Sequence, residues 1–258
     1  MCGRYVSTRS PQDLTRLFGV LDWRSEETLE PNWNVAPTDE VYAVLERAPR
    51  GDDDGASVRR ELRPLRWGLV PSWAKDPKIG SRMINARVES VHEKPAYRTA
   101  FARRRCLLPA DGFYEWQQLE SGKSGKRRKQ PYFIHPTDEQ VMALAGLYEY
   151  WRDPEADDAP GAWLMTCTII TTEATDAAGR VHPRMPLALA PEHYDAWLDP
   201  HRDDADELRG LLTQPADGHL SARPVSTAVN NTRNNGPQLL GEVTSYPPDS
   251  GTRPADRP

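Results

Sequence analysis

Long apolar runs are missing from this 258-residue chain. No stretch approaches the roughly 20 apolar residues that a membrane helix needs, and charge at Arg4 and Arg9 takes the place of a secretory leader's apolar segment. A soluble, cytoplasmic protein without a membrane partner is expected. Cysteine is scarce as well. The three present, Cys2, Cys106 and Cys167, are odd in number and lack short ligand spacing, which excludes a disulfide framework and a zinc module and leaves no metal or other cofactor expected. Cys106 and Cys167 lie in apolar runs and read as core. Net positive charge is also lacking. A formal charge of −5 argues against nonspecific coating of nucleic acid but leaves room for a local basic groove. Acid gathers at 52–54 and 153–158 in what read as solvated loops, and again at 203–207; base gathers at 103–105 and 126–129. The run 123–129, beside Gly122 and Gly125, is either a hairpin tip or a phosphate contact.

Eight tryptophans and nine tyrosines are present, and the length suffices for a substantial core. Segments 4–7, 41–46, 59–67, 105–109, 112–117, 131–135, 141–150 and 162–171 are rich in β-branched and aromatic residues and read as strands. Ser10 reads as a helix cap with Pro11 at the first helical position, Leu14, Leu17 and Phe18 on one face and Gly19 as the stop. Further helical patterns cover 95–102, 191–198 and 203–212, and 71–84 reads as an ordered surface loop. The order is irregular rather than alternating. It predicts an α+β fold, a single domain over 1–244 built on curved, mainly antiparallel, barrel-like sheet with peripheral helices. From 245 to 258, proline, glycine and charge without apolar periodicity predict a disordered tail.

The N-terminus carries the most reactive chemistry. Removal of Met1, which the small Cys2 side chain permits, would leave a residue with an α-amine of pKa roughly 7.7–8.0 and a thiol of about 8.5 on adjacent carbons. Such a pair condenses with an aldehyde to an imine and then closes a five-membered thiazolidine; toward an acyl group the thiolate brings its own base. Gly3 leaves room for close approach.

Other polar residues stand where a sheet protein places packing or solvent-facing groups. Asn34 is one. In segment 84–89, alternation would set Asn85, Arg87 and Glu89 on one face, opposite Ile84, Ala86 and Val88; the face is either a site or an exposed salt-bridged surface. Glu115 stands among Phe113, Tyr114 and Trp116, an environment that can raise a carboxyl pKa and suit it to proton transfer, unless it is the outward residue of an alternating strand. His182, in a segment restricted by Pro183 and Pro186 and with Arg184 two residues on, could shuttle a proton near neutrality. Arg4, Arg87 and Arg184 supply forks that match phosphate oxygens. Trp73 is either core or a stacking platform for a base.

Taken in order, Met-Cys-Gly-Arg-Tyr at 1–5, Asn-Val-Ala-Pro at 34–37, Trp-Gly-Leu-Val-Pro-Ser-Trp at 67–73, Ile-Asn-Ala-Arg-Val-Glu at 84–89, the segment 106–116, His-Pro-Arg-Met-Pro at 182–186 and the closing Pro224-Val225-Ser226 with Val229-Asn230-Asn231 closely resemble the SOS response-associated peptidase (SRAP) family of abasic-site processing proteins. The resemblance implies covalent capture of abasic sites in single-stranded DNA. It places the nucleophile on Cys2, abasic-site sensing on Asn85, a stabilising pair on Glu115 and His182, and phosphate binding on Arg4, Arg87 and Arg184. It also implies a role in DNA damage response, association with the nucleoid when bound to DNA, and a monomer. Departures are the 123–129 insertion, the acidic loop at 152–160 and the tail. Other readings of the same N-terminus are an amidotransferase with an N-terminal nucleophile, a thiol peptidase that removes its own Met1, and a noncatalytic single-strand binder.

Overall fold

The computed structural model describes residues 2–21, 23–47, 58–119, 128–156, 161–213 and 218–244. The expected loop at 50–57, most of the basic run, part of the acidic loop and the tail lie outside the described residues.

Among the described residues thirteen strands are formed: β1 (Tyr5–Ser7), β2 (Asn32–Val35), β3 (Glu40–Arg47), β4 (Arg59–Trp67), β5 (Asn85–Arg87), β6 (Arg105–Ala110), β7 (Gly112–Gln118), β8 (Lys129–Pro136), β9 (Met142–Arg152), β10 (Trp163–Glu173), β11 (Arg184–Pro186), β12 (Ala188–Leu189) and β13 (Leu220–Pro224). Among the same residues five short α-helices accompany them: α1 (Pro11–Phe18), α2 (Arg98–Arg103), α3 (Asp176–Gly179), α4 (Tyr194–Leu198) and α5 (Ala205–Leu211). Strands β10, β4, β3, β6 and β9 pair in sequence and β9 pairs back to β10, which closes a five-stranded barrel. A second sheet runs β13-β8-β7-β1-β2. Pairing is antiparallel except where β10 meets β4 and β5, so the expected α+β, mainly antiparallel architecture is the one observed.

Alternation along the barrel strands divides the core in two. Tyr42, Val44, Leu107, Ala145 and Leu147 pack with Leu14, Phe18, Phe101, Trp197 and Leu208 from the helices. The intervening set, with Val41, Ala43, Leu45, Cys106, Leu108, Leu144 and Cys167, packs with Tyr5, Val35, Phe113 and Ile134 of the second sheet, and with Cys2. Cys106 and Cys167 are core, as expected.

Helix α1 begins as the sequence predicts: Ser10 Oγ accepts from Asp13 N–H at 3.1 Å, Pro11 occupies the first turn, and Gly19 ends the helix in the left-handed region at φ 61°. Its buried face is Pro11, Leu14 and Phe18, whereas Leu17 is half exposed. Three- and four-residue spacing admitted Leu17 to the stripe; the helix's rotation onto the sheet put it at the rim. The short strands β2, β11, β12 and β13 have no counterpart in the sequence reading, because two to five residues are too few to show a period.

Candidate functional site

Register brings the N-terminus to Glu115. Strand β1 lies antiparallel to β7 with Tyr5 opposite Phe113 and Val6 opposite Gly112, and Tyr114 N–H still donates to Arg4 O at 2.9 Å. Continued toward the N-terminus, that register sets Cys2 and Gly3 beside Trp116 and Glu115. The carboxylate of Glu115 is buried, so the outward-facing alternative is overturned: β7 is covered on both faces at this point by its neighbours. Thr8, through both its N–H and its hydroxyl, and Arg9, through Nε, donate to Asp111, which fixes the far end of β1.

Strand β10 delivers the remaining groups. Its first half belongs to the barrel. Its C-terminal part leaves β4 and β9 and is flanked instead by β5, with Asn85 opposite Ile169 and Arg87 opposite Thr171, and by β11, with Arg184 opposite Glu173. Asn85 and Arg184 thus reach the same end of the molecule from opposite edges of one strand. Ala86, between Asn85 and Arg87, is buried and Arg87 is exposed, in keeping with the alternation read from the sequence.

The contacts follow. Asn85 Nδ2 donates to the Cys2 carbonyl at 2.7 Å, and Asn85 Oδ1 is buried without a hydrogen-bond partner. Cys2 itself is fully buried, its thiol 3.8 Å from Arg4 O. Burial first, and the negative charge of Glu115 second, push the thiol pKa well above its ordinary value. His182 Nδ1 lies 3.8 Å from Glu115 Oε1 and accepts from Arg184 N–H at 3.0 Å. Nδ1 also lies 3.1 Å from Arg184 O, so both backbone groups of Arg184 hold the imidazole in place.

The arginines are held differently. Arg4 Nη1 donates to Asn34 Oδ1 at 2.9 Å and to Val229 O at 2.8 Å, and burial lowers its pKa. Arg184 donates to both oxygens of Glu89 and, through Nη2, to Thr171 O at 2.7 Å. Asn34, expected at the DNA surface, is instead buried, and its Nδ2 is shared among the carbonyls of Val229, Asn231 and Asn234. It ties the closing segment under Arg4 and has no face for a ligand. Trp73 resolves the other way. Its side chain is 63% exposed, which overturns the core alternative. Its loop is nonetheless ordered: Ala74 O accepts from Trp151 Nε1 at 2.7 Å, and Gly68 and Gly80 approach so closely that a Cβ on Gly68 would stand 2.5 Å from Gly80 O. Trp73, Lys75, Lys78, Ile79 and Arg82 line a surface cavity of about 420 Å³.

The order of motifs along the chain has a counterpart in the comparisons. The profile of the family described as SOS response associated peptidase (SRAP) matches residues 1–232. This chain belongs to the SRAP family. It is 39% identical over 241 residues to the abasic site processing protein YoqW of Bacillus subtilis, covering 93% of this chain and 99% of that one. It is 30% identical over 276 residues to the abasic site processing protein HMCES of Xenopus tropicalis, covering 94% of this chain and 78% of that one. A crystal structure of a Bacteroides thetaiotaomicron protein superposes with a TM-score of 0.76 at 21% identity, over 94% of this chain and all of the other, and so shares the fold.

Within this SRAP chain the sequence brought Cys2, Asn85, Glu115, His182, Arg4 and Arg184 to attention, and the fold gathers them at one end of β10 and β1. It did not single out Tyr97, whose hydroxyl donates to the Asn85 carbonyl at 3.3 Å, or Thr171. Thr171 acts through its backbone carbonyl and Tyr97 on the backbone carbonyl of Asn85, and contacts made on backbone atoms leave no mark on the pattern of the partner's residue type.

Proposed function

We propose that this protein captures abasic sites in single-stranded DNA covalently, through Cys2 after Met1 is removed, as part of a DNA damage response. Kinship with proteins named for abasic-site processing supports the substrate. The observation that carries the chemistry is the convergence on Cys2: its carbonyl is pinned by Asn85 at 2.7 Å, and the carboxylate that acts on its thiol stands 3.8 Å from His182.

The order of steps follows from the electrostatics. A buried thiol beside a carboxylate stays protonated, so the α-amine is the first nucleophile. It adds to the aldehyde of the ring-opened deoxyribose to give a carbinolamine, which loses one water to become an iminium. Glu115 and His182 carry the protons of these steps, a contribution of typically 10²- to 10⁴-fold. The cation so formed lowers the cost of ionising the neighbouring thiol. Sulfur then bonds to the iminium carbon as the C=N π pair returns to nitrogen, the thiol proton replaces on Glu115 and His182 the proton spent in expelling water, and the thiazolidine closes with a net loss of one water and no oxidation. Carrying both nucleophiles on one residue makes closure intramolecular. Asn85 fixes the Cys2 backbone and keeps its bare Oδ1 for the sugar. Arg4, Arg87 and Arg184 contact flanking phosphates, which positions the strand without reading bases and makes binding salt-dependent. Trp73 offers a face on which a neighbouring base stacks.

The test mixes protein whose intact mass shows loss of Met1 with a single-stranded oligonucleotide bearing one abasic site, followed by denaturing electrophoresis. A shifted band is expected. Cys2→Ser, which retains the amine but not the thiol, should give an adduct only after borohydride reduction. Absence of the band from processed wild-type protein that still binds the strand noncovalently would replace this reading with that of a simple single-strand binder.

A further inference from the structure

Two of the three phosphate-binding arginines share an acidic neighbour. Glu89 is half exposed, yet its carboxylate takes the Nη1 and Nη2 edge of Arg184, with Nη2 to Oε2 at 3.2 Å. That edge is the fork on which a phosphate would bind bidentately. Arg184 cannot swing away to offer another face, since Nη2 also donates to Thr171 O at 2.7 Å, and its Nε is buried and unpartnered. Arg87, two residues from Glu89 and on the same exposed side, adds a second positive charge; the hydrogen bonds from Arg184, and more weakly the field of Arg87, hold the Glu89 carboxyl below its usual pKa. Glu89 is therefore an anion at neutral pH seated where the DNA backbone is to go. A structural ion pair would not need a carboxylate half open to water between two cations assigned to phosphate.

We infer that Glu89 is a stand-in for a backbone phosphate: it keeps the Arg184 fork aimed in the free protein and must be displaced when single-stranded DNA binds, so that it sets the affinity and salt dependence of the encounter. The inference rests on the DNA-binding reading of this site. Displacement exchanges one anion for another on Arg184 and leaves Glu89 free to repel the strand. The wild-type protein thus gains less from each phosphate than its arginines would allow, and weakly held strands are released before chemistry at Cys2.

The experiment measures noncovalent binding, by fluorescence anisotropy over a range of salt, of a labelled oligothymidylate to Cys2→Ser protein with and without Glu89→Gln. Glutamine keeps a hydrogen-bond acceptor for Arg184 and removes only the charge. Glu89→Gln should tighten binding several-fold at low salt. It should also steepen the plot of log affinity against log salt by about 0.7, the increment for one further phosphate neutralised on a single strand. Adding Arg184→Gln should erase both gains. An unchanged or weaker affinity with an unaltered slope would overturn the inference and leave Glu89 a positioning residue alone; Glu89→Ala, read in the same way, guards against an effect peculiar to glutamine. Failure here is separable from failure of the functional reading: wild-type protein that crosslinks abasic DNA while Glu89→Gln binds no tighter refutes only the stand-in. Absence of binding by every variant refutes both.

Discussion

Arg105 and the rim around Cys2 are both polar and both largely buried, and they spend their polarity in opposite ways. Arg105 is 2% exposed, and its donors end on five backbone carbonyls, those of Phe101, Ala102, Trp197, Asp199 and Arg202. The guanidinium also lies 5.7 Å from the centre of the Trp197 ring. Burial pulls its pKa down to about 10, so it remains charged at neutral pH. Its charge is consumed in fastening α2, α4 and the turn after it to the barrel. At the rim, by contrast, Asn85 Oδ1 is bare, and a half-exposed carboxylate, that of Glu89, takes the Arg184 fork beside the Thr171 carbonyl. Unspent bonding capacity, more than burial or charge, separates a site from a strut.

Breaking the strut should produce the largest effect. Arg105→Met would strand carbonyls of three segments, and at about 1–3 kcal/mol for each buried group left unsatisfied, partly offset by water entry, it should cost about 4 kcal/mol of folding stability. Urea denaturation checks this; crosslinking per folded molecule, measured in the cold, should be unchanged. If instead the chemistry suffered while stability held, the distinction between the two regions would fail.

Glu115→Gln tests the other side. It should slow crosslinking by about 10²-fold, or about 2.7 kcal/mol of barrier, as read by single-turnover gel kinetics. The midpoint of thermal unfolding should move far less than for Arg105→Met, because the amide retains the shape of the carboxylate.

A smaller and graded effect comes from pH. Burial raises the thiols of Cys2, Cys106 and Cys167 above their ordinary values. Above about pH 8.5 the unfolded chain releases these protons and the folded chain keeps them, so the stability they contribute is present below that pH and lost as pH rises. Each thiol should remove up to about 1.4 kcal/mol per pH unit between about 8.5 and 9, a window in which Arg105 keeps most of its charge in the folded state. Cys106→Ala and Cys167→Ala, although each carries its own packing cost, should flatten the alkaline limb of a urea titration; an unchanged slope would show the thiols to be more accessible than their packing indicates.

Residue pattern anticipated much of this molecule. The long barrel strands declared themselves through β-branched and aromatic runs, and α1 through its cap, proline and glycine. Glu115 stood out because a carboxylate among aromatics is rare on a surface. Pattern misled where placement depended on a partner far along the chain. Leu17 has the spacing of a core residue but stands half exposed at the rim. Asn34 has the chemistry of a ligand contact but is claimed by three carbonyls some 200 positions away. Residues 103–105 read as a single basic cluster, yet Arg103 is exposed, Arg104 pairs with Glu149 at 2.7 Å and Arg105 is core.

By itself the sequence determined the local chemistry: a cysteine that becomes amine and thiol together once Met1 is gone, the sheet-forming runs, and the kinship carried by motifs in a fixed order. These depend on residue type and near neighbours alone. Only the tertiary structure decided which polar groups remain available. The register of β1 on β7, and the departure of β10 from the barrel between β5 and β11, choose the carbonyl or carboxylate that each side chain meets, and such pairings join positions that no local pattern connects.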